Sequence, residues 1–196
     1  AIAGFENAGA KLRLFRSPDW QRLPDFSLTT LQRTIDRDPA LVEAIVRGAT
    51  KASLFAITNP ECVRKIHWLR FPESKPTGAD DATLARWDDN LLRAQVESMK
   101  AAFEMSGGKL WGRATAEGFG RMQDFMLDAK MIERKIDPAT FVVAKEGFFE
   151  RVNGFDAAEV VEQGKECAIR KRGEKKPGHR ASRRLSCADP AIAGSA

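Results

Sequence analysis

The chain has 196 residues, enough for one domain with a hydrophobic core, and its hydrophobic share of 43% excludes a disordered or fibrous protein. The net charge of +5 is unevenly distributed along the chain. Residues 167–196 hold eight Lys or Arg and two acids, a net charge of +6, and residues 1–166 hold 24 basic and 25 acidic residues, a net charge of −1. A basic surface for nucleic acid is therefore excluded outside residues 167–196.

Two short strands are predicted near the N-terminus, after a helix end. Residues 1–10 are typical of a helix that Gly9 closes, because glycine readily adopts the left-handed conformation of a C-terminal cap. Residues 11–16 alternate polar and apolar side chains with the period of a half-buried strand, and residues 25–31 form a second strand candidate.

Three Asx-Pro pairs predict helix starts: Asp38-Pro39, Asn59-Pro60 and Asp137-Pro138. The first side chain of each pair can accept a free backbone N–H of the first turn, and proline lacks an N–H that would have no partner there. The first helix is expected to run from Pro39 to about Thr58. Its apolar stripe, whose small members predict close packing, consists of Leu41, Ile45, Ala49, Ala52 and Ala56.

Capping side chains predict further helices later in the chain. The helix that begins at Pro60 is expected to end near Leu69. The other predicted helices run from Asp80 or Asp81 to about Met105, from Thr115 onward, and from Asp156 onward. Helix is therefore expected to dominate after residue 38.

No coherent set of catalytic residues is found. Cys62 and His67 lie on one predicted helix, but their spacing rotates them by about 140°, so they do not share a face as a nucleophile and its base would. Four acids that could suggest a metal site are expected instead on charge-balanced helix faces: Asp88, Asp89, Asp124 and Asp128. The sequence predicts neither an enzyme nor a cofactor or metal.

The cysteines do not predict a disulfide. Cys62, Cys167 and Cys187 are odd in number and lack metal-ligand spacing, and only Cys62 lies before residue 167. We therefore expect residues 1–166 to fold without a disulfide, which leaves the redox compartment open. No run of about 18 apolar residues is present, so membrane insertion is not expected.

Four stretches, taken in order, resemble the C-terminal part of the solute-binding proteins of ABC importers. They are residues 23–30, 38–42 with 59–61, 121–132 and 152–156. The family is the NMT1/THI5-like one, which binds nitrate, sulfonates, taurine and thiamine precursors. The resemblance implies an α/β fold of the periplasmic binding protein type II kind, with two lobes that close on a small solute. It also implies a periplasmic or lipid-anchored extracellular location, and permease subunits as partners of the full-length protein.

The resemblance also implies a division of the chain. Residues 1–24 would end the second lobe and residues 25–166 would form the C-terminal part of the first, so a fragment without its signal peptide is expected. Such a fragment should expose apolar surface, and we expect either poor stability or self-association. The predicted ligand-binding residues are Ser27, Thr29 and Thr30 on the strand between the lobes, whose hydroxyls could bind an oxyanion, and Trp20, whose indole could stack on a ring. Strand alternation and turn packing would explain the same residues without a ligand.

Residues 167–196 form a basic tail without an apolar face at any period, which predicts disorder. Two origins stay open for this tail, a native coding sequence and a shifted reading frame. The alternative function depends on it: a helical interaction protein whose tail binds nucleic acid or an acidic partner. Such binding would weaken steeply with salt.

Overall fold

The structure is built from helices alone. The computed structural model describes residues 2–15, 17–24 and 26–169, and no β-strand occurs in those ranges. The α/β fold of the periplasmic binding protein type is therefore wrong for this chain. The helices are α1 (Ile2–Asn7), α2 (Gln32–Arg37), α3 (Pro39–Thr58), α4 (Pro60–Arg70), α5 (Asp81–Met105), α6 (Ala116–Asp128), α7 (Phe148–Asn153) and α8 (Ala157–Glu166). Three 3-10 turns complete the described structure, at Trp20–Arg22, Pro72–Ser74 and Pro138–Phe141.

The two predicted strands are absent. The described residues of both segments, 11–15 and 26–31, belong to neither a helix nor a strand. Their polar–apolar alternation fits a strand, but a strand also needs a neighbour that pairs with its backbone N–H and C=O groups. No sheet in the described part of the chain supplies one, so Phe15 and Phe26 are 74% and 86% exposed.

The Asx-Pro pairs do start helices, as predicted. Asp38 Oδ1 accepts the N–H of Leu41 at 3.0 Å, and Asn59 Oδ1 accepts the N–H of Cys62 at 2.9 Å. The third pair, which includes Asp137, caps only a 3-10 turn. Capping depends on atoms within one turn of the chain, and for this reason the sequence predicts it well.

The later helix starts are also confirmed. Asp80 accepts the N–H of Thr83 at the start of α5, and Asp156 accepts the N–H of Glu159 at the start of α8. Thr115 caps α6 in the same way. The helices α3 and α5 end where the sequence placed them, at Thr58 and Met105. No helix of the described chain has the length and apolar character needed to cross a membrane.

The hydrophobic core lies between α2, α3 and α7. Its buried members are Ile35, Val42, Phe148 and Val152, and Val152 has no exposed surface. Thr50 Oγ1 adds a hydrogen bond to the carbonyl of Val152 at 3.2 Å. The helix α3 is thus the central element, with α7 and α8 packed along it.

The face of α3 that enters the core differs from the predicted one. Leu41 and Ile45 of the predicted stripe are 50% and 55% exposed, whereas Val42 and Thr50 are buried. The cause is tertiary, because α7 and α8, which come a hundred residues later, cover the neighbouring face. Apolar periodicity identified the helix but not the side that its partners would cover.

Two acids considered as metal ligands connect α4 to α5 instead. Asp89 Oδ1 accepts a hydrogen bond from Arg64 Nε at 2.8 Å, and Asp88 Oδ2 accepts one from the Trp68 indole at 2.7 Å. The guanidinium of Arg64 also lies 4.9 Å from the Trp68 ring centroid. Asp88 and Asp89 therefore belong to a helix contact and not to a solvated helix face.

Candidate functional site

An open groove of about 720 Å³ lies between α3, α4 and α8. Its floor is formed by small residues of α3, namely Ala49, Ala52 and Ala56. The sequence predicted close packing for these alanines, but in the structure they line an open groove and Ala52 is exposed. Small side chains at these positions leave room for a molecule to lie against the helix.

The walls of the groove are mainly apolar. On one side α4 contributes Val63 and Ile66, and Met99 of α5 closes that wall from behind. On the other side stands α8 with Val160, which is 6% exposed. An apolar lining of this kind favours a ligand with an apolar body, because burial of its surface releases ordered water.

Polar side chains line the same groove. They are Lys51 and Ser53 of α3, His67 and Arg70 of α4, and Glu159 and Gln163 of α8. The Lys51 ammonium lies 5.5 Å from the ring centroid of Phe155. The Glu159 carboxylate accepts a hydrogen bond from Gln163 Nε2 at 2.9 Å. The cations Lys51 and Arg70 therefore outnumber the one carboxylate, which is already engaged by a neutral donor.

A serine and a histidine meet beside the groove. Ser74 Oγ lies 2.8 Å from His67 Nε2, and the same Oγ donates to the Phe71 carbonyl at 2.6 Å. The Ser74 hydroxyl has one proton and the Phe71 carbonyl can only accept it, so both contacts form together only in the tautomer of His67 with a protonated Nε2. A base that activates serine must accept its proton, so this pair is not arranged as a nucleophile and its base.

A disulfide joins α4 to the residue that follows α8, and the expectation of a fold without one is wrong. Cys62 and Cys167 are bonded, with 5.7 Å between their Cα atoms and a sequence separation of 105. Cys62 lies in the first turn of α4, next to Val63 in the groove wall, and Cys167 follows the last residue of α8. The sequence missed the bond because Cys167 was assigned to the tail.

The four predicted ligand-binding residues lie outside this groove. Trp20 is 55% exposed in a 3-10 turn, and Ser27, Thr29 and Thr30 are exposed in the irregular segment before α2. None of them lines this groove or the smaller cavity beside α6. The structure does not bring them together with Lys51 or His67, and their role in binding stays a prediction.

A second, smaller cavity of about 330 Å³ lies between α6 and the segment that leads to the turn at Pro138–Phe141. Phe119 and Phe141 stack across it with 5.3 Å between ring centroids. Arg134 is its charged lining residue, and Gln123 makes two hydrogen bonds to the backbone of Ile136. These contacts hold the segment to α6. We therefore interpret this cavity as a gap in the packing between the two and not as a ligand site.

Comparisons with known proteins identified no relative of this chain. No family model matches this chain, and neither a curated protein nor a solved structure matches it. The resemblance to solute-binding proteins of ABC importers therefore stays a prediction from the sequence. The groove has to be interpreted from its own geometry.

Two further predictions concern metals and the basic tail. Within the described residues, no group of three or more His, Cys, Asp or Glu side chains is arranged to hold a metal ion. The tail at residues 167–196 falls almost wholly outside the described residues, which end at Ile169. The alternative function through that tail therefore stays a prediction.

The groove itself was not predicted. Its signal in the sequence was the set of small residues on α3, Ala49, Ala52 and Ala56.

Proposed function

We propose that this chain functions by binding, and that it holds a small organic anion with an apolar body in the groove between α3, α4 and α8. The observation that supports this proposal is the groove volume of about 720 Å³. Small-molecule sites in proteins are usually apolar clefts of about 300–1,000 Å³ with a few polar groups that orient the ligand. The groove has both properties.

The length of the groove limits the size of the ligand. Along α3 its lining extends from Ala49 to Ala56, which is about 10 Å at 1.5 Å per residue. A pair of fused rings or a short acyl chain fits this length. A long helix or an extended peptide would reach well beyond it.

The charges of the groove select an anion. Lys51 and Arg70 carry positive charge, and the single carboxylate, Glu159, is hydrogen-bonded to Gln163. An acidic group of a ligand would approach Lys51 while its apolar body lies on the alanines of α3. Attraction between unit charges is stronger beside an apolar wall than in bulk water, because the local dielectric constant is lower.

Binding without chemistry is proposed because the hydroxyl groups of the groove are committed to the backbone. Ser53 Oγ donates to the carbonyl of Ala49 at 3.0 Å, and Ser74 Oγ donates to that of Phe71. Ser53, the serine that lines the groove, thus gives its proton to a carbonyl and not to a base. Cys62, the cysteine of the groove region, is oxidised in the disulfide and cannot act as a thiolate.

This proposal keeps the solute-binding role that the resemblance implied, but it changes the site. The solute would lie in one groove among helices and not in a cleft that closes between two α/β lobes. Delivery of that solute to the permease subunits of an ABC importer, and a periplasmic location, rest on the resemblance alone. The small-molecule solute is the partner that the groove supports.

Calorimetric titration of the oxidised 196-residue chain with naphthalene-2-sulfonate tests the proposal. We expect saturable binding, and weaker binding of the uncharged naphthalene-2-sulfonamide, since the sulfonamide has the same ring without the charge. The variant Lys51→Gln should weaken the sulfonate about fivefold, the size of one partly solvated ion pair, and leave the sulfonamide unchanged. Lys100→Gln, on α5 outside the groove, serves as the control.

A second pair of variants tests the place of binding. Ala52→Phe fills the floor of the groove and should reduce affinity for the sulfonate by about tenfold or more, because the ring competes for the same volume. Ala44→Phe changes an exposed alanine of the same helix outside the groove and should have no effect. No binding at millimolar sulfonate, or equal loss in both variants, would reject the proposal.

A further inference from the structure

The disulfide between Cys62 and Cys167 joins two walls of the groove. Cys62 belongs to α4, and Cys167 directly follows α8, whose residues Val160 and Gln163 line the opposite side. The bond therefore determines how far the end of α8 can move from α4. Any change in this bond acts on the width of the site.

The other attachments of α8 at this end are weaker. The side chain of Asn59 donates a hydrogen bond from Nδ2 to the carbonyl of Gly164 at 3.1 Å. Gly164 also approaches Thr58 so closely that a Cβ there would lie 2.9 Å from Thr58 Cγ2. These contacts are non-covalent and local, so without the disulfide they alone would hold the end of α8 against the corner between α3 and α4.

The two sulfur atoms differ in access. Cys62 is 1% exposed, whereas Cys167 is partly exposed and has the left-handed backbone conformation with φ of 46°. Of the two residues, Cys167 is therefore the one that a thiolate from solvent can approach, since Cys62 is buried. The accessible sulfur belongs to the residue at the end of α8.

We infer that the Cys62–Cys167 disulfide is a redox clamp on the groove: its reduction releases the end of α8 and weakens binding of the organic anion. The inference rests on the proposed function, since it concerns regulation of that same site. In the oxidised chain both walls are held for the ligand. In the reduced chain, α8 must be ordered again when the ligand binds, and this cost lowers the affinity.

The reductant is a dithiol, and the reaction is a two-electron thiol–disulfide exchange. A thiolate of the dithiol attacks Sγ of Cys167, the bond between the two cysteine sulfurs breaks, and Cys62 leaves as a thiolate that takes up a proton. The second thiol of the dithiol loses its proton and attacks its own sulfur in the mixed disulfide. Cys167 then leaves as a thiolate and is protonated, and the dithiol has become a cyclic disulfide.

Binding and reduction should be coupled in both directions. If reduction lowers the affinity for an anion by a given factor, saturation with that anion makes reduction less favourable by the same factor. We expect a factor of about ten, within the usual range for coupled sites. The ligand would then protect the disulfide, and an oxidising compartment would be the place where the groove binds well.

The experiment uses the full chain with Cys187→Ser, so that the third thiol cannot exchange with the other two. Calorimetry measures the affinity for naphthalene-2-sulfonate before and after reduction by dithiothreitol. Hydrogen exchange reports on α8 and, for comparison, on α5, and circular dichroism reports on total helix. The variant Cys62→Ala with Cys167→Ala in the same background is the matched control, which dithiothreitol cannot change.

We expect the reduced chain to bind about tenfold more weakly, to keep its helices and to exchange faster in α8 than in α5. The double alanine variant should match the reduced chain with or without dithiothreitol. Equal affinity in the oxidised and reduced states would overturn the clamp and leave the proposed function standing. Loss of all helices on reduction would also overturn it, since the bond would then be a global staple. An oxidised chain that fails to bind the sulfonate would remove both proposals.

Discussion

Arg151 of α7 contacts α3 through both its side chain and its backbone. Its guanidinium donates two hydrogen bonds to Glu43 Oε1, at 2.9 Å from Nε and 2.7 Å from Nη2. Its carbonyl accepts one from Arg47 Nη2 at 2.8 Å. These bonds join the short helix α7, which carries half of the core, to the central helix. A single residue thus connects segments more than a hundred positions apart.

Neighbouring residues reinforce the same contact region. Asn153, at the end of α7, accepts the N–H of Trp111 through Oδ1 at 2.8 Å and donates to the Trp111 carbonyl through Nδ2 at 3.1 Å. The Trp111 ring in turn stacks on Phe103 with 4.1 Å between ring centroids. Residues 152–156, which carried part of the resemblance, therefore have a structural role here.

The Glu43–Arg151 pair should make stability depend on pH. The hydrogen bond from Arg151 is the main cause that holds the pKa of Glu43 below its ordinary value of 4.5. Because the folded pKa is lower than the unfolded one, the pair stabilises the fold above pH 4.5, and this contribution is lost as pH falls through the folded pKa. We expect Glu43→Gln to lower the free energy of unfolding at pH 7, and the difference from wild type to shrink below pH 4.5.

Urea unfolding of both proteins between pH 3 and pH 7 measures this difference. Glu162→Gln is the control, because its carboxylate is solvent-exposed beside Lys165 and joins no two helices. A constant gap between wild type and Glu43→Gln across this pH range would show that the ion pair does not contribute.

At the scale of elements, α8 contacts α3 more closely than side-chain size would normally allow. Gly164 permits this approach, since an added Cβ would lie within 3.0 Å of two Thr58 side-chain atoms. The glycine does not have a positive φ, so its role is space and not backbone freedom. The same contact forms the corner from which the groove opens.

Two glycine substitutions should therefore have opposite effects. Gly164→Ala should destabilise the fold by about 1–3 kcal/mol, because Thr58 or α8 must shift. Gly48→Ala, in the middle of α3 with nothing within 4 Å of its new Cβ, should stabilise it by about 1 kcal/mol through helix propensity. Urea midpoints of the two variants against wild type provide the measurement. The same sign for both would contradict the close contact at Thr58.

At the scale of the whole molecule, much apolar surface lies outside the helical core. The segment between α1 and α2 carries seven of the twenty exposed large apolar residues in the described chain. Its large apolar residues that are at least 43% exposed are Leu12, Leu14, Phe15, Trp20, Phe26, Leu28 and Leu31. A patch of this kind usually marks a contact with another molecule or a tendency to associate.

We expect the chain to self-associate with increasing concentration. The sequence analysis raised the same expectation, there from the resemblance to part of a two-lobed protein. Sedimentation velocity over a range of concentrations measures this. Phe15→Ser with Phe26→Ser should raise the dissociation constant about tenfold or more, since each buried phenylalanine contributes about 1.5–3 kcal/mol. Met131→Ser, equally apolar and exposed but on another segment, should have little effect. A chain that stays monomeric at all concentrations would contradict this expectation.

The sequence alone predicted where five of the eight described α-helices begin. Asp38, Asn59, Asp80 and Asp156 cap the first turns of four helices, as predicted. A cap forms between a side chain and a backbone N–H two or three residues later, so the information is local.

Only the tertiary structure decided which surfaces meet. The alternation in residues 11–15 predicted a strand, but pairing requires a second strand that the described chain does not provide. Likewise, the face of α3 that is buried depends on α7 and α8, and the bond between Cys62 and Cys167 joins residues separated by 105 positions. The small residues of α3 marked one side of the groove, but its other walls and its clamp arise from such distant contacts, which no local pattern of residues could predict.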